Sequence, residues 1–301
     1  MTEPSADQLV AARSARVQRV MRQHPLLFFF FIAYAFSWII STPYVLCVWG
    51  ILPGGGGNGV ASLLFNIKAY AGPTVAASIV TSVTAGKEGL LRLRRRITQW
   101  RARWQWYLFI IVGGPALLLF GLIIQPGVLA SFRGLTSVIL VSYPISFFAV
   151  FFSDALAEEI GWRGFALPRI QPRYGPLRGT LLLGIVWGFW HLFYFLTPER
   201  GGGPGTSVTT VMTSFFIFLL SVVALAIILT WVFNHTQGSV FIASLLHTSV
   251  DTPQVVWIPL FVIVNATILN VAGLVGFGVP AALIVVLTRG RLGYRPLEGN
   301  A

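Results

Sequence analysis

Long apolar runs divide this chain of 301 residues, and their length limits what it can fold into. A helix of about 20 apolar residues crosses the hydrocarbon core of a bilayer. The runs lie near 26–51, 60–85, 106–125, 135–160, 179–197, 208–233, 238–252 and 267–288. Because 55% of the residues are hydrophobic and only 10% are charged, an ordinary soluble domain is excluded. The sequence therefore predicts an all-α polytopic membrane protein with about eight transmembrane helices.

Basic residues between the runs predict the orientation of the helices. They collect in alternate connections, whereas the remaining connections contain only Arg133 and Arg200. The basic segments are 1–24, 86–105, 161–178 and the tail after 288. Since cytoplasmic loops carry the excess of Lys and Arg, both termini are predicted to be cytoplasmic. The net charge of +12 has the same origin, so we expect membrane lipids, and no nucleic acid, among the partners.

Three parts are predicted along the chain. Residues 1–24 form a basic cytoplasmic tail, which is either an amphipathic helix on the membrane surface or a disordered segment. Residues 25–290 form a membrane-embedded domain, with a catalytic core at about 145–255. Residues 291–301 form a second cytoplasmic tail.

Two further features concern the later part of the chain and its source. Residues 253–266 contain Pro253 and Pro259 and are predicted to be an outer loop or a re-entrant piece. Only Lys68 and Lys87 are lysines among the 21 basic residues, a bias that hints at a GC-rich bacterial genome. We therefore expect an integral protein of a bacterial plasma membrane.

Two adjacent glutamates close the fourth run. An ionisable side chain inside a bilayer costs about 2.5–3.5 kcal/mol on insertion scales, so such residues indicate function. Positions four apart share a helix face, so Glu159 and Arg163 are predicted to form an ion pair, and Asp154 stacks on Glu158. Glu158 lies about 100° round the helix from Glu159 and is predicted to face a cavity. The alternative is that both glutamates belong to an ordinary ion-pair network at the helix end.

Two histidines lie inside later runs. His191 is about 12 residues into the fifth helix, and it is either a reactive imidazole or a core histidine bonded to a carbonyl. His247 and Asp251 are four residues apart and share a face of the seventh helix. A carboxylate beside an imidazole either fixes its tautomer or shares a metal ion with it.

Together, these side chains suit hydrolysis of an amide bond inside a membrane. A carboxylate can activate water as a general base, and a second group can polarise the carbonyl or stabilise the oxyanion. The His-Glu-x-x-His motif of soluble zinc proteases is absent, and no residue set suits Ser-His-Asp chemistry as well. The sequence predicts an intramembrane endopeptidase that acts on a membrane-associated peptide or protein.

Three motifs at these residues resemble those of the CAAX-processing and bacteriocin-processing (CPBP, or Abi) intramembrane proteases. Residues 157–164, with the sequence Ala-Glu-Glu-Ile-Gly-Trp-Arg-Gly, are similar to the first motif of the family. Residues 187–191 are similar to the second, although Trp187 stands where the family usually has Phe. Residues 247–251 are similar to the third, whose last position is commonly Asn. The resemblance covers about 145–255.

The resemblance implies a fold, a site and a substrate class. The family has eight membrane helices and a site open to the cytoplasmic side, and it includes the type II CAAX prenyl endopeptidases. A lipid-modified substrate is therefore one expectation. Carried over by motif, Glu158 would activate water with help from His191. His247 and Asp251 would stabilise the oxyanion or hold a metal.

Asp251 bears on whether a metal is used. An Asn could donate an N–H to the oxyanion, whereas an ionised Asp only accepts, so Asp251 is either protonated or beside a cation. His191 and His247, completed by Glu158 or Asp251, would make a three-ligand Zn²⁺ site with an open position for water. Asp251 tilts the prediction toward the metal, and a metal-free glutamate mechanism is the alternative.

Two other classes of function use similar residues. A membrane chaperone or immunity-type protein could share the scaffold without turnover, but the intact set of ionisable residues argues against it. A proton-coupled transporter also needs buried carboxylates. Transporters usually show repeats with sites in both halves, whereas the intramembrane carboxylates here all lie after residue 150.

Overall fold

The first part of the protein contains three long helices within the described residues. The computed structural model describes residues 6–53, 59–60, 62–63, 65 and 71–295. The helices are α1 (Ala6–Gln23), α2 (Pro25–Val48) and α3 (Gly72–Thr98). The basic tail is therefore helical over the described residues, with Arg16, Arg19 and Arg22 exposed. Gly86 interrupts α3 with φ 57°, which a glycine adopts without steric cost, and separates an apolar piece from an arginine-rich one.

The next two helices contain π turns, in which the backbone hydrogen bond spans one residue more than in an α-helix. Helix α4 (Trp104–Ile123) has one at Phe109–Gly113. Helix α5 (Val138–Tyr174) has two, at Phe151–Ala155 and Trp162–Ala166. Such turns occur frequently at functional sites. The two in α5 flank the six residues Leu156–Gly161, which carry both glutamates.

Helix α5 corrects one sequence boundary. We predicted that the fourth run ends near 160 and that 161–178 is an inner connection, but the helix continues to Tyr174. Residues 162–168 are buried rather than solvated. The arginine at 163 suggested a polar segment, yet its charge is neutralised inside the protein by Glu159.

The last four helices complete the described fold. Gly175, with φ 78°, makes the turn from α5 into α6 (Pro176–Trp190), which continues as 3-10 turns over His191–Leu196. The remaining helices are α7 (Val208–His235), α8 (Val240–Val256) and α9 (Ala266–Leu287). Ser239 begins α8, because its hydroxyl accepts from the Ile242 N–H at 3.1 Å.

The connection after α8 is a loop rather than a re-entrant helix. Helix α8 extends through Pro253 to Val256, so the predicted loop begins later than 253. A short 3-10 turn at Ile258–Leu260 follows, and Phe261 forms an antiparallel bridge with Phe132. This bridge ties the loop to the connection between α4 and α5.

Helix packing brings the motif residues together. Helix α7 packs against α6 and α9, and α8 packs against α4, α5 and α7. Close approach depends on glycine: a Cβ at Gly161 would lie 2.7 Å from the Pro73 carbonyl carbon on α3. At Gly121 on α4 a Cβ would lie 2.0 Å from the Ala272 carbonyl oxygen on α9. Small residues allow membrane helices to make such contacts.

Six helices in the described part are long and apolar enough to cross a membrane. They are α2, α4, α5, α6 with its 3-10 extension, α7 and α9. The all-α polytopic membrane architecture is confirmed. Helix α8 has only 17 residues, and the run predicted at 60–85 lies partly outside the described residues. The count of eight spans therefore stays a prediction.

Candidate active site

A cavity of about 330 Å³ lies between α5, α6, α7, α8 and α9. Five of the ionisable residues singled out from the sequence line it: Asp154, Glu158, His191, His247 and Asp251. Glu159 and Arg163 lie behind its wall, fully buried. The helices thus bring the three motifs to one place, and they separate the two adjacent glutamates as the helical spacing predicts.

Glu158 is held by two tryptophans. Its Oε2 accepts the indole N–H of Trp187 at 2.5 Å and that of Trp162 at 3.2 Å. Trp162 lies one turn further along α5, whereas Trp187 comes from α6. Because both donors contact the same oxygen, they fix the orientation of the carboxylate and direct Oε1 toward His191.

His191 has a defined tautomer. Its Nδ1 lies 2.9 Å from the Trp187 carbonyl oxygen, which can only accept, so Nδ1 carries the hydrogen. The neutral ring then has an unprotonated Nε2, which lies 3.9 Å from Oε1 of Glu158. This separation is too long for a hydrogen bond. Two acceptors at this distance can both receive a hydrogen bond from one water molecule.

A second group of charges lies behind the cavity wall. Arg163 Nη1 donates to Glu159 Oε1 at 2.7 Å, which is the i,i+4 pair expected from the sequence. The same oxygen lies 3.0 Å from Nδ1 of His247, a residue of another helix. Glu159 therefore joins α5 to α8 and does more than hold its own helix end.

His247 is placed between two carboxylates. Its Nε2 lies 3.1 Å from Asp251 Oδ2, so the predicted i,i+4 pair is also present. Ionised carboxylates only accept, so contacts with both Glu159 and Asp251 require a hydrogen on each ring nitrogen. Gln254 donates to the other Asp251 oxygen at 2.8 Å, which favours the ionised carboxylate. His247 is then an imidazolium cation at the edge of the cavity.

Trp187 connects the two groups. Its indole N–H contacts Glu158, while the guanidinium of Arg163 lies over its ring, 4.3 Å from the centroid. The His247 ring meets the indole edge to face, with centroids 5.3 Å apart. The family usually has Phe at this position, which could stack in the same way but could not donate a hydrogen bond.

Sequence reasoning missed several of these contacts. Trp162 could have been found, because it is four residues after Glu158 and thus on the same face. The donor role of Trp187 and the contact between Glu159 and His247 join different helices, and no spacing within one helix reveals them. Asn234, near the end of α7, donates to the Leu292 carbonyl at 3.0 Å.

The donor set does not fit a three-ligand zinc site in this arrangement. Within the described residues, no group of three His, Cys, Asp or Glu side chains is placed to hold a metal ion. Both nitrogens of His247 are directed at carboxylates, and Nδ1 of His191 is directed at a carbonyl. The predicted Zn²⁺ therefore stays a prediction.

Comparison with known proteins agrees with the motifs. The family model described as type II CAAX prenyl endopeptidase Rce1-like matches residues 140–253. CAAX prenyl protease 2 of Methanococcus maripaludis is 30% identical over 118 residues, which cover 38% of this chain. The matched region spans only 42% of the length of that relative. The range matched by the family model includes all three motifs and ends two residues after Asp251. Residues 140–253 are thus similar to the type II CAAX prenyl endopeptidases, in agreement with the resemblance of the three motifs.

Proposed function

We propose that the protein is an intramembrane endopeptidase that uses Glu158 to activate water. The observation that carries this proposal is the pairing of Glu158 Oε1 with the unprotonated Nε2 of His191, 3.9 Å apart at a cavity wall. A water molecule that donates one hydrogen bond to each acceptor has a lone pair left for attack. General bases of this kind accelerate reactions by about 10²–10⁴-fold.

The reaction follows from this geometry. The water oxygen bonds to the substrate carbonyl carbon, its proton passes to Glu158, and the carbonyl electron pair moves onto oxygen. Glu158 then returns the proton to the amide nitrogen, and the C–N bond breaks with its electron pair on nitrogen. The products are a carboxylic acid and an amine.

His247 is the proposed electrostatic partner of the oxyanion. Its imidazolium charge lies at the cavity edge and is present before the reaction starts, because Glu159 and Asp251 hold both N–H groups. A positive charge that is fixed in advance in a water-poor site stabilises an oxyanion more strongly than the same charge does in water. His247 would also offset the negative charge of Asp251, which by itself would oppose an oxyanion.

The substrate is proposed to be a membrane-associated peptide or protein, including one that carries a lipid. Apolar side chains form much of the cavity wall, among them Leu118, Val150, Phe218, Val222 and Leu225. Such a wall suits an extended apolar segment or a lipid chain. The name of the archaeal relative, CAAX prenyl protease 2, supports testing prenylated peptides first.

A direct assay separates this proposal from its rivals. The purified protein in liposomes would be incubated with CAAX-terminated peptides, with and without a farnesyl group, and the products identified by mass spectrometry. We expect new C-termini at a defined bond. Binding without cleavage would instead support a chaperone or immunity-type role. Proton uptake into the liposomes coupled to peptide movement, without cleavage, would support a transporter.

The proposed location is a bacterial plasma membrane with both termini in the cytoplasm. The arginine-rich connections support this orientation through the positive-inside rule. Reporter fusions after residues 95 and 202 test it, since we expect only the second to be active outside the cytoplasm.

A further inference from the structure

One arginine lines the cavity of the candidate site. Among the described residues of the cavity wall, Arg200 is the only arginine or lysine, and it is half-buried. The wall also contains four carboxylates, those of Asp154, Glu158, Glu199 and Asp251. None of the ion pairs among the described residues includes Arg200. The wall thus contains a permanent cation that no carboxylate of the described chain neutralises.

A tight turn fixes the backbone of Arg200. The residue ends the 3-10 turn Pro198–Arg200, which follows the extension of α6. The backbone N–H groups of Arg200 and Gly202 both donate to the Thr197 carbonyl, at 3.3 and 2.9 Å. A Cβ at Gly202 would lie 1.9 Å from the Phe195 carbonyl oxygen, so the turn packs directly against the end of α6. The position of Arg200 relative to the cavity is therefore set by the fold.

The side chain of Arg200 reaches toward the catalytic residues. Its guanidinium carbon lies 5.0 Å from the centroid of the Phe218 ring on α7. The same ring meets the His191 imidazole edge to face, with centroids 5.2 Å apart. The guanidinium carbon is thus within about 10 Å of the imidazole centre. Contact with an aromatic ring supplies no acceptor oxygen for the five N–H donors of the guanidinium.

Three of the four carboxylates in the wall have partners of their own. Glu199, next to Arg200 in the chain, accepts a hydrogen bond from the hydroxyl of Tyr44 on α2. Asp251 is paired with His247, and Glu158 accepts from two indole N–H groups. Arg200 is therefore available to an anion that enters the cavity.

We infer that Arg200 binds the C-terminal carboxylate of the peptide substrate. A guanidinium can hold a carboxylate through two parallel N–H bonds, which fixes its orientation as well as its position. The other cation of the wall, His247, is already shared by Glu159 and Asp251. Without Arg200, the remaining carboxylates of the wall would repel a chain terminus. This inference rests on the proposed function and adds a residue that determines specificity.

The distance to His191 limits where the bound peptide is cut. An extended chain spans about 3.3–3.6 Å per residue. About three residues therefore bridge the 10 Å between Arg200 and His191. A peptide held by its terminus at Arg200 would present a bond within its last few residues to Glu158 and His191. The expected leaving fragment is short.

A pair of peptides tests the inference. The probes are one farnesylated CAAX-terminated peptide with a free C-terminal carboxylate and the same peptide as its C-terminal amide, which keeps the shape and removes the charge. We expect the wild type in liposomes to cleave the acid with a kcat/KM about tenfold or more above that of the amide. Arg200→Gln should abolish this preference, and Arg200→Lys, which keeps the charge without the planar fork, should retain part of it.

Arg133→Gln is the matched control. Arg133 is exposed and is not among the residues that line the cavity, so this variant should keep the full preference for the acid. The ratio of acid to amide is taken within each variant, so a lower yield of folded protein cancels. A purely structural role of Arg200 would lower cleavage of both peptides equally and leave the ratio unchanged, which would overturn the inference.

Binding separates this inference from the protease proposal. Glu158→Gln in liposomes, which is expected to bind without cleaving, would be titrated with fluorescent forms of both peptides. Tighter binding of the acid, lost on adding Arg200→Gln, supports the role of Arg200 even if the wild type cleaves neither peptide, in which case only the protease proposal fails. Equal binding and equal cleavage of acid and amide would overturn the role of Arg200 and leave the protease proposal intact. Absence of both binding and cleavage would count against both.

Discussion

The candidate site contains two groups of charged residues that differ in how completely they are paired. Glu159 and Arg163, behind the cavity wall, and His247, in the wall itself, are buried and in contact at 2.7 and 3.0 Å. At the cavity, Glu158 and His191 face each other at 3.9 Å. The first group, the paired group, joins two helices. The second, the open pair, leaves room for a reactant between its atoms.

This difference shows how neighbouring glutamates can have opposite roles. Removing one partner of a buried pair leaves an uncompensated charge and costs about 3–5 kcal/mol of stability. A pair whose facing atoms are not in direct contact, as in Glu158 and His191, contributes less to stability and leaves both atoms available for the reaction. We therefore expect substitutions in the open pair to change turnover, and substitutions of Glu159 or Arg163 in the paired group to change folding.

Glu158→Gln is expected to have the largest effect on the reaction. Glutamine keeps the shape and can still accept from both tryptophans, but it cannot take a proton at neutral pH. We expect peptide cleavage to fall by about 10²–10⁴-fold, with little change in the thermal unfolding midpoint. Glu88→Gln, the same change at an exposed position on α3, is the control and should cleave normally. Full activity of Glu158→Gln would falsify the general-base assignment.

Arg163→Ala is expected to have the largest effect on stability. Glu159 then keeps only His247 as a partner in a low-dielectric place, at a cost of about 3–5 kcal/mol. Thermal unfolding in detergent measures this. Arg173→Ala, at an exposed position on the same helix, should change stability by less than about 0.5 kcal/mol. Adding Glu159→Gln to Arg163→Ala removes the orphaned charge and should restore part of the loss. No recovery in the double variant would contradict the ion-pair explanation.

Trp187→Phe should reduce turnover less than Glu158→Gln does, because it removes only the hydrogen bond from the indole to Glu158. Phenylalanine can keep the stacking with Arg163, but Glu158 loses its 2.5 Å hydrogen bond. Hydrogen bonds to charged groups contribute about 1.5–3 kcal/mol, so we expect about a tenfold or greater loss of kcat. Trp162→Phe removes the longer, 3.2 Å bond and should cost less. Equal losses in the two variants would show that Trp187 has no special role.

Asp251→Asn should have the smallest effect if the site works without a metal. The amide oxygen can still accept from His247, and the negative charge that opposes the oxyanion is removed. We expect turnover within a few-fold of wild type, and no loss after treatment with a chelator. Strong inhibition by the chelator, reversed by Zn²⁺ and accompanied by an inactive Asp251→Asn, would instead support the metal mechanism. Elemental analysis of the purified protein completes the test.

The sequence predicted contacts within a helix better than contacts between helices. Glu159 with Arg163, and His247 with Asp251, are four residues apart, so the helix period alone places them together. The contact of Glu159 with His247 depends on which faces α5 and α8 turn toward each other, and the hydropathy of the two runs does not specify this. The sequence placed the end of α5 too early, because Arg163 was interpreted as part of a solvated connection. The residue types alone do not distinguish a buried ion pair from a solvated one.

The π turns on either side of the two glutamates make the length of α5 critical. An α-helix turns about 100° per residue, so deleting one residue within 162–166 would convert the π turn to an α turn and rotate everything beyond it by that angle. The glutamates would keep their places, while Leu167–Tyr174 would present a different face to α6. In evolutionary terms, this helix can exchange residues more readily than it can gain or lose one. Insertions and deletions among related chains should therefore fall in the loops and avoid the stretch between the two π turns.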